Sequence, residues 1–159
     1  MSKKIKILFL CTGNACRSQM AEGLTRHFKG DSIEAFSAGS SPHGVDPLAV
    51  ESMAQIGIDI SKQESKHVSE FDGAAIDWAV TLCDNAQKAC PMFPPPAKTV
   101  HKPFEDPPLL AKNEASREEA IAHYNRVRDS IKAFVEELPG VLESLYKSQR
   151  KISINLGDV

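Results

Sequence analysis

An apolar run, Ile5-Lys-Ile-Leu-Phe-Leu10, ends in Cys11-Thr-Gly-Asn-Ala-Cys-Arg17-Ser18 and passes straight into a segment with helical spacing. The run reads as a buried strand, and Met20, Leu24 and Phe28 fall on one face of a helix over Gln19 to Lys29. A cysteine therefore stands at a strand end, with an arginine where the helix begins. A loop so placed can wrap its N–H groups around a tetrahedral oxyanion, and the helix dipole assists. The same field favours thiolate, which makes Cys11 the expected nucleophile. The bland alternative is a buried structural cysteine beside a surface arginine. Strand before, helix after, Gly13 inside and Ser18 behind weigh against it.

Each loop residue has an expected task. Arg17 can meet two oxyanion oxygens with its planar fork, which a lysine does less well. Gly13 lets the backbone turn and approach the anion without a Cβ in the way. Asn14 is placed to hydrogen-bond across the loop. Ser18 either donates its hydroxyl to the Cys11 sulfur or caps the first helical turn. Thr12, Ala15 and Cys16 complete the substrate-binding loop, Cys16 in a packing role. No Gly-Lys-Ser/Thr occurs, so this is not a nucleoside-triphosphate loop.

Strand and helix patterns alternate along the rest of the chain, which predicts an α/β fold: a four-stranded parallel sheet with helices on both faces. Ser32–Ser37, Asp77–Leu82 and Lys98–His101 are the further strands. Pro47 to Gln55 reads as a helix with proline in its first turn. The longest helix starts at Ser116, where Ser116 and Glu119 fit a capping box, and Pro139-Gly140 interrupts it. The boundaries predict one domain over 1–146 and a polar tail over 147–159, extended or loosely attached.

With 159 residues, 42% hydrophobic and 25% charged, the chain has the make-up of a soluble globular protein with one sizeable core. A net charge of −2 gives no reason to expect nucleic-acid binding. The apolar run before Cys11 is too short for a signal-peptide core or a membrane span, so the expectation is a cytoplasmic protein. No feature marks an oligomer interface, so monomer is the default. The four cysteines, Cys11, Cys16, Cys83 and Cys90, are then expected as working thiols rather than a disulfide framework. Their spacing lacks the close pairs of a zinc site, the five histidines show no ligand spacing, and neither metal nor cofactor is expected.

Two more constellations carry chemistry. In Glu105-Asp106-Pro107-Pro108, a carboxylic acid held by prolines suits protonation of a leaving oxygen. Asp106 is the candidate and Glu105 the fallback. In Cys83-Asp-Asn-Ala-Gln-Lys-Ala-Cys90-Pro91, an intact helix across the seven-residue step would separate the cysteines by about 10 Å of rise. A disulfide needs Cα atoms within about 7 Å. The pair could bond only if the segment bends or unwinds, which predicts a redox-linked switch; the bland reading is two small buried hydrophobes.

Taken together, Cys11–Ser18, Ser37-Ala-Gly39, Thr81-Leu-Cys-Asp-Asn-Ala86, Cys90-Pro91 and Phe104-Glu-Asp-Pro107 resemble the thioredoxin-coupled arsenate reductases, which share the low-molecular-weight protein tyrosine phosphatase fold. The resemblance runs from Lys4 to about Leu145. The Cys83/Cys90 pair points to the reductases, and phosphatases of this class usually carry an aromatic residue where Pro108 stands. The resemblance implies that Cys11 attacks arsenate (phosphate or sulfate being analogues) held by Arg17 and the loop amides while Asp106 protonates the departing oxygen. Cys83 then resolves the adduct by bonding Cys11, and Cys90 takes over Cys83 in a disulfide that thioredoxin reduces. The implied role is arsenic detoxification, with weak phosphatase activity through Cys11, Arg17 and Asp106. The alternatives are a tyrosine phosphatase whose second cysteine pair protects Cys11, and a non-catalytic phosphate- or phosphopeptide-binding module. Some relatives bind a monovalent cation at positions matching Asn14, Glu22, Ser37 and an aspartate; that aspartate falls at Lys66 here, and its ammonium is expected in the cation's place.

Overall fold

The computed structural model describes residues 3–83 and 93–157, with side chains described as far as 151. Strand β1 (Ile5–Leu10) lies inside a sheet between β2 (Ile33–Ala38) and β3 (Trp78–Thr81), and β4 (Lys98–His101) forms the far edge. Every pairing is parallel, giving the order β2-β1-β3-β4. A strand flanked on both sides and covered on both faces has no solvent side, which is why Ile7 to Leu10 are uninterruptedly apolar and fully buried.

The helices are α1 (Arg17–Lys29), α2 (Pro47–Ala54), α3 (Pro107–Ala111), α4 (Arg117–Glu136) and α5 (Gly140–Gly157). Ile7, Phe9, Trp78, Val80 and Val100 face one way, onto Met20 and Leu24 of α1, Val127, Ile131 and Val135 of α4, and Leu142 of α5. Leu8, Leu10, Ala38 and Ala79 face the other way, onto Ile76 and Phe93, with Val68 and Phe71 of a one-turn 3-10 helix (Val68–Phe71) closing over them. The expected four-stranded parallel sheet with helices is the one observed; among the described residues the α-helices pack on one face, and the 3-10 turn with Ile76 and Phe93 lies on the other. Because all four strands run the same way, their carboxyl ends share one edge. Cys11, Gly39, Cys83 and the 102–106 segment all leave the sheet there.

Three local expectations change. Helix α1 begins at Arg17, as expected, but Phe28, which shares a helical face with Met20 and Leu24, is 43% exposed beneath the Lys132 ammonium, 5.1 Å from its ring centroid. The proline pair after Asp106, expected only to hold that carboxylic acid, opens a short helix, α3: Pro is tolerated in a first helical turn because its missing N–H has no partner there anyway. Beyond Pro139-Gly140 the chain is one helix to Gly157, which takes in much of the tail that the sequence predicts, from Lys147, as extended or loosely attached. Its Gln149 explains part of that order. The side-chain amide accepts from His101 N at 2.6 Å and donates to Thr99 O at 3.1 Å, occupying the open hydrogen-bonding edge of β4. Ser116 caps α4 as expected, accepting from Glu119 N at 3.1 Å. Among the described residues no helix is long and apolar enough to cross a membrane.

Candidate active site

The loop between β1 and α1 is held from behind, carbonyl by carbonyl. Thr12 O accepts from Ser41 N at 2.9 Å, Gly13 O from His43 N at 3.2 Å and Ala15 O from Asp46 N at 2.9 Å. Gln19 Nε2 takes Asn14 O at 3.0 Å, and Met20 N takes Cys16 O at 2.9 Å. A peptide whose C=O is tied outward presents its N–H on the opposite side. Five such ties in succession turn the loop amides into a concave donor surface at the start of α1.

The conformational demands of the loop fall differently from expectation. Gly13 does not take the left-handed turn; Asn14 does, at φ 45°. Asparagine tolerates that region when its side chain bonds locally. Here Asn14 Nδ2 donates to Ser18 Oγ at 2.8 Å and Oδ1 accepts from Lys66 N at 2.7 Å. Gly13 is needed for space, since a Cβ there would collide with the imidazole of His43. Gly39 is tighter still: a Cβ would lie 2.5 Å from Thr12 O, 2.6 Å from Cys11 O and 2.9 Å from Asn14 N. Those are backbone atoms of the loop and cannot swing aside.

Cys11 is buried, a free thiol, and its Sγ is 2.9 Å from Ser18 Oγ. Since the Ser18 oxygen accepts from Asn14, its own hydrogen is available to the sulfur. Ser18 therefore faces the cysteine from inside α1, and the N-cap position belongs to Cys16, which makes no side-chain cap. Cys16 is buried and free, and desolvation, then the Asp46 charge, pushes its thiol well above the ordinary value. Both cysteines of the loop are buried, and Cys11 is the one that faces Ser18.

Arg17 ties the loop to the strand ends that follow it in sequence. Its Nη1 donates to Phe104 O at 2.8 Å and approaches Leu82 O at 3.5 Å, while Nη2 lies 3.8 Å from Asp106 Oδ2. Asp106 precedes α3 but makes no side-chain cap to that helix; its half-exposed carboxylate is turned to Arg17. Glu105 points elsewhere, exposed and 3.6 Å from Arg126. Cys83 is buried beside the loop, with Sγ 3.8 Å from Thr12 Oγ1, and it is disulfide-bonded. Cys90, with the segment expected to bend between it and Cys83, lies outside the described residues. The structure thus gathers Cys11 to Ser18, Cys83 and Asp106 at one sheet edge. Trp78 and Phe104 are core residues.

Lys66 lies where the sequence places it in question. Its Nζ donates to Glu64 O at 2.7 Å and stands 3.9 Å from Glu22 Oε1, the same oxygen that accepts from Ser37 Oγ at 2.6 Å. The backs of the loop and of β2 therefore share one buried carboxylate. The clamp residues Ser41, His43 and Asp46, and Gln19 with them, are absent from the sequence reading, since a backbone hydrogen bond leaves no mark on residue type. Two grooves of about 510 Å³, one along Ala74, Trp78 and Pro95 and one along Arg26, Asp59 and Lys62, share no residue with the loop. A tetrahedral oxyanion needs a cradle of donors rather than a cavity.

A parallel sheet whose first strand runs into a loop with its carbonyls tied back, a cysteine at its start and an arginine at its end defines a class. The chain belongs to the low molecular weight phosphotyrosine protein phosphatase family, which it matches over residues 6–151. Within that class it is similar to the arsenate reductase of Shouchella clausii, 48% identical over 139 residues covering 86% of this chain and 96% of that one. It is 47% identical to the arsenate reductase of Bacillus subtilis over 131 residues, 82% of this chain and 91% of the relative. Among solved structures, an arsenate reductase in the phosphate binding state superposes with a TM-score of 0.66 at 30% identity, over 84% of this chain and 95% of that one. A thioredoxin-dependent arsenate reductase of Corynebacterium glutamicum gives a TM-score of 0.58 at 28% identity, over 85% of this chain and 63% of that one.

Proposed function

We propose that this protein reduces arsenate to arsenite by a three-cysteine relay and passes the final disulfide to thioredoxin, as an arsenic-detoxifying enzyme of the cytoplasm. The observation that carries the reading is the placement of Cys83. It packs against the loop that starts at Cys11, on Thr12, and it is in a disulfide while Cys11 is a free thiol. A relay that ends on Cys83 requires such a combination, a disulfide at Cys83 with Cys11 released. The arsenate reductase names of the relatives support the substrate, and the thioredoxin dependence of the Corynebacterium protein supports the reductant.

In the first step Cys11 sulfur displaces an oxygen of arsenate, forming an S–As bond, while Asp106 protonates the oxygen that leaves as water. The loop amides and Arg17 hold the remaining oxygens, and Ser18 stabilises charge on the sulfur. Cys83 then attacks Cys11 Sγ. A sulfur–sulfur bond forms, and the electron pair of the S–As bond stays on arsenic, which leaves as arsenite. Cys90 attacks Cys83, freeing Cys11, and thioredoxin returns two electrons to the Cys83–Cys90 disulfide. Cys11, Arg17 and Asp106 alone suffice for slow hydrolysis of an aryl phosphate, since water can replace Cys83 as the group that clears the adduct.

The test is arsenate-dependent NADPH consumption with thioredoxin and its reductase, for wild type, Cys83→Ser and Cys90→Ser. Turnover disappears in both variants while aryl phosphate hydrolysis survives. Arsenate turnover that persists in either variant ends the three-thiol cycle.

A further inference from the structure

Where the loop carbonyl of Ala15 is tied to Asp46, a carboxylate and a phenol meet. Asp46 does three things at once. Its N–H donates to Ala15 O at 2.9 Å, its Oδ1 accepts from Leu48 N at 2.9 Å as the cap of α2, and its Oδ2 accepts from Tyr124 of α4 at 2.6 Å. Tyr124 is buried, and its hydroxyl makes its one hydrogen bond among the described residues to Asp46. Two helices therefore converge on one loop peptide through a single aspartate.

We infer that Asp46 and Tyr124 are positioning residues of the oxyanion loop: together they hold the Ala15–Cys16 peptide so that its N–H faces the bound anion. The inference rests on reading that loop as the oxyanion cradle. Ala15 O, pinned by Asp46 N, fixes the plane of the Ala15–Cys16 peptide, and a hydrogen bond accepted at a carbonyl strengthens the same peptide's N–H as a donor. A carboxylate this close would also repel the anion. Two donors, Leu48 N–H and Tyr124 O–H, spread its charge away from the loop. Burial and the Asp46 carboxylate both push the Tyr124 phenol far above its ordinary value, so it remains a donor at any working pH. Losing the phenol hydroxyl leaves the part-buried Asp46 Oδ2 without its donor and leaves the charge facing the loop.

The experiment measures binding of inorganic phosphate by calorimetry to the oxidised protein, in wild type, Tyr124→Phe, Asp46→Asn and the double variant, with thermal melting of each. Tyr124→Phe is expected to weaken phosphate binding by about tenfold, the scale of one lost hydrogen bond to a charged group. Adding Asp46→Asn to Tyr124→Phe should recover part of that loss, because it removes the charge while keeping the N–H to Ala15. A purely structural role would lower the melting temperature further in the double variant and recover no affinity. Phosphate affinity of Tyr124→Phe within twofold of wild type overturns the inference. Wild type that fails to bind phosphate overturns the cradle reading and this inference with it.

Discussion

The Arg17 guanidinium reaches Asp106, with Nη2 3.8 Å from Oδ2, while its other arm donates to Phe104 O two residues upstream of that carboxylate. On the proposed function, the arginine that binds the anion also fixes the segment that carries the acid. The two functions are separable in the reaction. Asp106→Asn keeps the segment in place and removes the proton, so aryl phosphate hydrolysis should fall by about 10²–10⁴ with phosphate affinity within a fewfold of wild type. Equal loss of rate and affinity would show that Asp106 only positions Arg17.

Arg17→Lys tests the other half. A lysine cannot reach Phe104 O and the anion together, and it offers a point charge where a planar fork is used. Phosphate binding and hydrolysis should both drop, and the protein should melt lower because two carbonyls lose a donor. Phosphate titration alongside melting curves checks this, and unchanged phosphate affinity counts against the role.

The two loop thiols should respond differently to alkylation. Cys11 has Ser18 Oγ at 2.9 Å, whereas burial and the Asp46 charge hold Cys16 protonated well past the ordinary range. Iodoacetamide at mildly alkaline pH should label Cys11 and spare Cys16, as read by peptide mass spectrometry. Ser18→Ala should slow the Cys11 labelling, since the sulfur loses its hydroxyl. Prominent labelling of Cys16 in the folded protein would contradict the assignment.

Gly39→Ala should be costly for a reason visible only in three dimensions. The new Cβ meets the backbone of Thr12, Cys11 and Asn14, so the loop or β2 must shift. Overpacking of this kind costs about 1–3 kcal/mol, and here the displaced atoms are the cradle itself. Phosphate binding should be lost even at temperatures where the variant remains folded by circular dichroism.

Lys66 should make the protein indifferent to potassium. Its ammonium stands 3.9 Å from a Glu22 carboxylate whose side chain is 5% exposed. Activity and melting temperature should match in potassium chloride and in the chloride of a larger, inert cation at equal ionic strength. Lys66→Asp should lose stability and regain part of it with potassium. Potassium activation of the wild type would refute the substitution.

Much of this was open to sequence reading because it is local. The strand before Cys11, the helix after Arg17 and the cap at Ser116 follow from residue periodicity and side-chain chemistry within a few positions. The alternation of strands and helices then places every strand end on one edge, which brings Cys11, Cys83 and Asp106 together without any contact being known. Short-range signals misled where tertiary packing overrode them: Phe28 keeps helical phase yet lies open under Lys132, and the tail becomes helix where Gln149 docks on β4.

The sequence by itself determined the parallel α/β architecture and the loop of Cys11 to Ser18 between its first strand and first helix, since each rests on spacing along one chain. Only the tertiary structure decided how the loop is aimed. Its carbonyls are taken by Ser41, His43 and Asp46, its tight points are Asn14 and Gly39, and Tyr124 steadies it from a helix 78 positions beyond Asp46. Backbone hydrogen bonds and excluded Cβ space depend on where the chain returns, and residue type does not record that.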